Sequence, residues 1–428
     1  MYRFNHMNAI THIKGFADLF PPYSQAMTKL EQAAQDIFQR YGYQELRLPL
    51  LEKTELFCRS IGEETDVVGK EMYTFPDQKG RSLTLRPEAT AGVVRAYIEG
   101  KIYTQASSSK FYTFGPMFRY ERPQRGRVRQ FHQINAECLG LAEPHIDAEI
   151  IAMLWDLIQT LGIGNLSLLV NSLGCRECRA NFRTCLTEFF HDLDHNGLCK
   201  DCRHRIDANP LRVLDCKVPS CQTQIVAAPS ILEANCPSCN EHFAVVLRLL
   251  KQLDIPYMLT PRLVRGLDYY CRTTFEIVSN VIGAQSSVAG GGRYDGLVAN
   301  LGGPDIPGIG FACGMERLVM LLPQLASHNP HFFIAVLHTN AQDSAFLLGQ
   351  QLRHNGLRGI IGHATKSLKS QLRAANKLNA ATCLLFGANE LDTSTIQIKS
   401  LRTATQIVHP LQDLTGLVAL LRSLADTP

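Results

Sequence analysis

The chain reads as an α+β protein that carries a separate α/β domain at its C-terminal end, and three patterns predict this. In the body, strand-like segments meet across polar turns (111–118 with 130–139, and 274–281 with 284–289) and helices lie between the hairpins. From residue 331 onward strand and helix alternate instead: FFIAVLH, a helix over 341–354, a second near 366–379, then ATCLLFG. Between the two regions the Pro-, Asn- and His-rich stretch 323–331 reads as a linker. A chain of 428 residues also exceeds what one hydrophobic core organises, so two or three domains are expected.

Apolar and alanine positions at helical spacing after a Pro-Pro pair predict a first helix over 24–41. The following YQELRLPLLEKTELF is strand-like up to Pro49. The segments 111–118 and 130–139 flank an arginine-rich turn, and DAEIIAMLWDLIQTLG at 147–162 is an amphipathic helix that stops at Gly162. A glycine-rich strand from Gly308 leads into the helix MERLVMLLPQL.

The apolar fraction of 45% and charged fraction of 19% are those of a globular protein, with no low-complexity tail. MYRFNHMNAITHIKGF has no apolar h-region and no apolar run reaches the ~18 residues of a membrane span, so a cytoplasmic location is expected. In that compartment 14 cysteines point to metal ligands or free thiols rather than disulfides. The net charge of +4 is concentrated: from His331 to the end there are nine Lys/Arg against five Asp/Glu. That excess implies a polyanionic partner for the tail.

LVRGLDYY at 263–270 sets Arg265 beside a flexible glycine, Asp268 and two adjacent tyrosines, Tyr269 and Tyr270. AGGGRYDGL at 289–297 then places Arg293 and Tyr294 after three glycines. A guanidinium can grip a carboxylate or phosphate with two hydrogen bonds, and glycines let backbone approach a ligand, so both segments read as a pocket for a small anion-bearing molecule. FRYERPQRGRVRQF packs Arg119, Arg122, Arg125, Arg127 and Arg129 into eleven residues. Strand alternation would put Arg119 and Glu121 on one face as a charge pair, while the tip arginines suit phosphates or a nucleic-acid backbone. In TLRPEAT, a buried Glu88 would need a cation, which a substrate ammonium could supply; an Arg86–Glu88 salt bridge is the structural alternative.

GIGFACGMERL at 308–318 begins G-x-G, but its third glycine comes one residue late for a dinucleotide fingerprint, and no P-loop motif occurs anywhere. What remains is a helix start carrying Glu316 and Arg317, suited to a triphosphate. Cys175-x-x-Cys178 and Cys199-x-x-Cys202 have zinc-ligand spacing, with Cys216, Cys221, Cys236 and Cys239 following, enough for one or two structural Cys₄ zinc sites. Lys366, Lys369, Arg373 and Lys377 fall on one helical stripe with Leu368, Leu372 and Leu378 expected inward, a candidate RNA surface.

Taken together these motifs resemble the histidyl-tRNA synthetases, a family of class II aminoacyl-tRNA synthetases. LVRGLDYY and AGG-RYDGL are similar to the family's histidine motifs; FRYERP…RQF and GFACGMERL resemble class II motifs 2 and 3, and the stretch around Pro49 resembles motif 1. The resemblance implies an antiparallel catalytic sheet over 1–170 and 241–325, a Cys-rich insertion at 171–240, and an anticodon-binding domain at 331–428. It implies a homodimer that joins L-histidine to tRNA(His) using ATP with Mg²⁺. By motif position, Arg119 and Arg265 would be catalytic, bridging the histidine carboxylate and the α-phosphate. Glu88 and Thr90 would hold the α-amino group, and Gln133, Glu137, Tyr269 and Tyr270 would surround the imidazole. Glu121, Phe131 and Arg317 would bind ATP. A regulatory paralogue that partners a phosphoribosyltransferase resembles the same family, but such subunits typically lack the tail domain and lose the arginines that are kept here. Where the family usually has Pro-Glu-Gly-Thr, this chain has Ala89, a strained position if that residue needs φ > 0.

Overall fold

In the structure, a computed structural model, residues 10–62, 65–193, 195–216, 218–283, 287–323 and 329–426 are described. They divide into two compact units, residues up to 326 and those from 327 on.

The first unit is organised by an eight-stranded sheet. From edge to edge its strands are Gln44–Glu45, Ser109–Phe118, Gln130–Leu139, Gly308–Gly314, Ser287–Arg293, Cys271–Ser279, Leu166–Ser172 and Tyr257–Leu259. Each neighbouring pair from Ser109–Phe118 to Leu166–Ser172 is antiparallel, and only the two short edge strands join in parallel. Alternation along a strand decides what each face does. Ile134, Ala136 and Cys138 are buried under the helices Tyr23–Arg40, Pro144–Thr160, Pro237–Gln252 and Met315–Leu321. Gln133, Asn135 and Glu137, one residue out of phase, fall on the opposite face.

Several expectations are corrected in detail. The segment before Pro49 forms only the two-residue strand Gln44–Glu45, because the chain then leaves the sheet and pairs again at Leu51–Lys53 in a separate three-stranded sheet. The strand expected at 284–289 runs instead over Ser287–Arg293, through all three glycines. Residues 284–286, and most of the expected linker at 324–328, lie outside the described residues. The region 171–240 is helical, with Arg176–His191, Lys200–Ala208, Pro219–Ile225 and Ile231–Ala234 packed around a small core of Phe182, Leu186, Phe190, Ile206 and Val213.

The second unit is a five-stranded sheet in the order Gly359–Ile361, Phe332–Val336, Thr382–Phe386, Thr395–Ser400, Gln406–Pro410; the first three are parallel and the last two antiparallel. Helices Gln342–His354, Leu368–Lys377 and Leu414–Asp426 accompany it. The helix Leu368–Lys377 buries Gln371 and Ala375, and of the leucines expected inward only Leu372 packs, partly buried, against the core of Phe333, Ala335 and Ala375, while Leu368 and Leu378 are exposed. The amide of Gln371 explains this, since it bonds Val336 through both its oxygen (3.1 Å) and its nitrogen (2.7 Å), and that anchors a polar edge of the helix to the sheet. Lys369, Arg373 and Lys377 remain an exposed row, with Lys366 ahead of the Ser367 cap.

Candidate active site

A cavity of about 360 Å³ opens on the polar face of the large sheet. The strand Gln130–Leu139 contributes Phe131, Gln133 and Asn135 to its wall, the hairpin before it contributes Arg119, Glu121 and Arg127, and 265–270 contributes Arg265, Tyr269 and Tyr270. Glu88, Thr90 and Arg317 complete the set. Of the residues the sequence singled out for histidine and ATP, all but Glu137 meet on this wall. Glu137 lies under it, accepting from the Thr90 hydroxyl (2.5 Å) and the Tyr294 hydroxyl (2.6 Å).

Charge is distributed unevenly in the cavity. At one end Arg119, Arg127 and Arg317 stand close together; burial, and then the charges of Arg127 and Arg119, lower the Arg317 pKa, the signature of cations assembled for an anion. Arg317 rests on the Gly126 carbonyl (3.1 Å) and the Ser287 carbonyl. The other end is lined by acids and phenols. Burial raises the Glu88 pKa, and burial pushes Glu137 up to about 8. The Tyr269 and Tyr270 rings lie 4.7 Å apart, and burial raises both phenol pKa values, so they are hydroxyl donors at neutral pH.

Arg265 sits between the ends. Its Nη1 donates to Glu276 Oε2 at 2.7 Å, while its buried Nε has no partner. A Cβ on Gly290 would collide with this guanidinium, and one on Gly310 would collide with the Glu137 carboxyl. These two contacts account for glycine at those two positions. Gln133 Oε1 and Asn135 Nδ2 are also buried without partners. Three unsatisfied polar atoms on one wall cost free energy unless a ligand meets them.

The local readings change in four places. Arg119 and Glu121 do not pair: the strand ends at Phe118, so alternation stops there. Arg119 donates to the Pro87 carbonyl at 2.9 Å and stacks 5.3 Å from the Phe131 ring, while Glu121 takes Arg127, Nη2 to Oε1 being 2.9 Å. Within the chain, Glu88 accepts from the amides of Thr90 (2.6 Å) and Ala91 (2.9 Å) that open the helix Thr90–Glu99. Arg86 does not pair with it; its guanidinium donates to the Pro116 carbonyl (3.0 Å) and the Leu48 carbonyl (3.5 Å). Arg293 is not in the pocket. It is fully buried behind the sheet, bound to Asp147, Asp295 and two carbonyls. Ala89 has φ −104° and ψ −28°, ordinary for an L-residue, so alanine carries no strain there.

Sequence reasoning did not single out Asn135, Glu71, Arg212 or Glu276 for the site. Stepping by two along the strand from Gln133 would have reached Asn135. Nothing local marks the others, which arrive from distant segments. The cysteines lie elsewhere, and the two Cys-x-x-Cys pairs with zinc spacing belong to different clusters: Cys175/Cys178 join Cys236/Cys239, and Cys199/Cys202 join Cys216/Cys221.

Comparison with known proteins identifies the family. Residues 15–318 match the family described as Histidyl-tRNA synthetase, and 331–419 match the family described as Anticodon binding domain. A histidine–tRNA ligase of Nitratidesulfovibrio vulgaris (strain DP4) is 58% identical over 400 residues, covering 94% of this chain and 96% of its own. One from Oleidesulfovibrio alaskensis is 56% identical over 416 residues, covering 96% of this chain and all of its own. The structure of apo S. aureus histidyl-tRNA synthetase aligns with a TM-score of 0.79 at 34% identity, covering 96% and 99% of the two chains. A regulatory paralogue is not favoured, since the tail domain and Arg119, Arg265 and Arg317 are all present. The chain belongs to the histidyl-tRNA synthetase family and is an aminoacyl-tRNA ligase.

Proposed function

We propose that this cavity joins L-histidine to ATP as histidyl-adenylate and that the enzyme then passes the histidyl group to the 3′ end of tRNA(His). A histidine carboxylate oxygen attacks the α-phosphorus, the bond to the β-phosphate oxygen breaks, and diphosphate leaves. A hydroxyl at the tRNA 3′ end then attacks the acyl carbon and AMP departs. The observation that carries the reading is the meeting of an arginine end with an acid–phenol end across Arg265, whose Nε, with Gln133 Oε1 and Asn135 Nδ2, lacks a partner.

Arg119 and Arg265 grip the carboxylate and α-phosphate as charge builds in the transition state. Glu88 and Thr90 receive the α-ammonium; Glu88 then has a cation that its two amide donors do not supply. Gln133, Tyr269 and Tyr270 read the imidazole, with Glu137 setting the polarity beneath, so analogues lacking ring nitrogens leave these groups unpaired. Phe131 stacks on adenine beside Glu121, and Arg317 leaves its carbonyl rests for the γ-phosphate. Mg²⁺ fits as the escort of the triphosphate, since it takes most ligands from phosphate oxygens and water and asks the chain for only one or two carboxylates; Glu71 stands on that wall. Histidine-dependent ATP–pyrophosphate exchange tests the reading; folded protein with no exchange would overturn it.

The exposed row Lys369, Arg373 and Lys377, with Lys366 beside it, meets the tRNA backbone. Reversing these charges should weaken tRNA(His) binding and flatten its salt dependence, and unchanged affinity would make the row a plain solvated face. A homodimer forms over the three-stranded sheet that follows Pro49, where Leu50, Leu51 and Phe75 stay 42%, 41% and 42% exposed; a monomer in sedimentation equilibrium would rule it out. Among the described residues no helix is long and apolar enough to cross a membrane. The cytoplasm is the expected location, and recovery in a membrane or extracellular fraction would contradict it.

A further inference from the structure

None of the eight clustered cysteines takes part in the proposed reaction, yet their placement is ordered. Within each quartet the four sulfurs lie within 4.8 Å of one another. Cys175 and Cys178 sulfurs are 3.5 Å apart, and Cys199 and Cys216 sulfurs 4.0 Å. A disulfide would need about 2.05 Å, whereas four thiolates around one ion at about 2.3 Å stand roughly 3.8 Å apart. Backbone amides point at the sulfurs in both quartets: Cys175 N to Cys239 Sγ (3.2 Å), Cys236 N to Cys178 Sγ (3.1 Å) and Cys199 N to Cys221 Sγ (3.1 Å). Such donors orient thiolate ligands.

The segment they brace needs bracing. Its helices include Pro219–Ile225 and Ile231–Ala234, seven and four residues long, too short to hold themselves in water. The first quartet ties the chain leaving the sheet after Ser172 to the chain returning at the helix Pro237–Gln252. The second closes within the segment.

What this segment touches gives it a role. Arg179, next after Cys178, donates to the carbonyls of Tyr270 (2.7 Å) and Asp268 (3.2 Å). Between Cys202 and Cys216, Asn209 donates to the Asp268 carboxylate (2.9 Å) and Arg212 to the Arg265 carbonyl (3.2 Å). The stretch 265–270, which carries the residues proposed to grip histidine, is thus held from outside by three side chains: Arg179 in the helix that starts at the first quartet, and Asn209 and Arg212 in the chain closed by the second.

We propose that each quartet binds one zinc ion, with four thiolates and no open position, and that the two ions position the 265–270 stretch for histidine. Sulfurs this close surround a single ion rather than a multinuclear cluster. The residues involved act through Arg265 and the tyrosines and touch no reacting atom, so they are positioning residues.

The kinetic half of this proposal rests on the ligase reading; the metal half does not. Full-length protein purified under reducing conditions with zinc supplied should carry two zinc ions per chain by elemental analysis. Cys236→Ser and Cys216→Ser should each lower that count by one. Cobalt exchanged into the wild type should show tetrahedral thiolate charge-transfer bands. Protein that binds no zinc yet is fully stable overturns the sites. Asn209→Ala keeps every cysteine and serves if the serine variants do not fold. It should retain two zinc ions and raise the histidine KM roughly tenfold with the ATP KM little changed. An unchanged histidine KM there, or in a folded zinc-depleted enzyme, overturns the positioning role. Absence of exchange in the wild type would sink the ligase reading alone and leave the metal count standing.

Discussion

Arg265 and Arg293 come from the two most distinctive motifs of the chain, both are withdrawn from bulk water, and the structure gives them opposite circumstances. Arg293 is fully buried: its Nε reaches Asp147 Oδ1 at 3.0 Å, its Nη1 the Leu141 carbonyl (2.9 Å) and Asp295 (3.2 Å), and its Nη2 the Glu143 carbonyl (3.4 Å). Asp147 is shared with His242 at 2.8 Å, and although burial works to raise its pKa, His242 and Arg293 bring it below the ordinary value. Arg265 has one carboxylate partner and a buried Nε without any, and its side chain lines the cavity. Completed bonding marks a group that holds the fold, and incomplete bonding on a wall marks a group that waits for a ligand.

The largest expected effects separate these two. Arg265→Ala should lower adenylate formation by about 10²–10³-fold or more while leaving the thermal midpoint little changed. Arg293→Ala should cost about 3–5 kcal/mol of stability, because Asp147 would stay buried without its guanidinium partner. Pyrophosphate exchange and thermal melts on both variants check this, and a swapped outcome would break the comparison. A smaller effect is expected for Gly290→Ala, whose methyl displaces the Arg265 guanidinium rather than backbone. Activity should fall roughly 10²-fold, with the melt nearly unchanged. Full activity would mean that the position of Arg265 is not critical.

The smallest effect concerns Glu137. Burial raises its pKa from 4.5 to about 8, so its contribution to stability is complete below the unfolded pKa and is lost as pH rises through about 8. Melts of the ligand-free enzyme should therefore drop by a few degrees between pH 7 and 9. Glu137→Gln, neutral throughout, should remove most of that drop; an identical slope in the two proteins would falsify the assignment.

The two motifs were equally conspicuous in the sequence, and there they read alike. Arg119, Arg317, Tyr269 and Tyr270 were found because the motifs that carry them are local: a few residues in order specify a hairpin, a helix start or a loop. Glu276, Arg212 and Asn135 went unnoticed because each becomes relevant only through a partner 11 to 53 residues away or through a cavity. The expected Arg119–Glu121 pair failed because strand alternation was carried one residue past the end of the strand at Phe118. Cysteine spacing announced ligand sets, but it could not say that Cys175/Cys178 would close with Cys236/Cys239, since loop length alone discriminates weakly among partners.

Local order in the chain was enough to determine the α+β body, the α/β tail, the family and the residue types of the pocket, since periodicity and short motifs are encoded between near neighbours. Tertiary structure alone decided which arginine faces the cavity and which is sealed behind the sheet, which carboxylate is held neutral, how the cysteines sort, and that Ala89 sits without strain. Each of these depends on desolvation and on partners brought together by the sheet, and neither exists until the chain has folded.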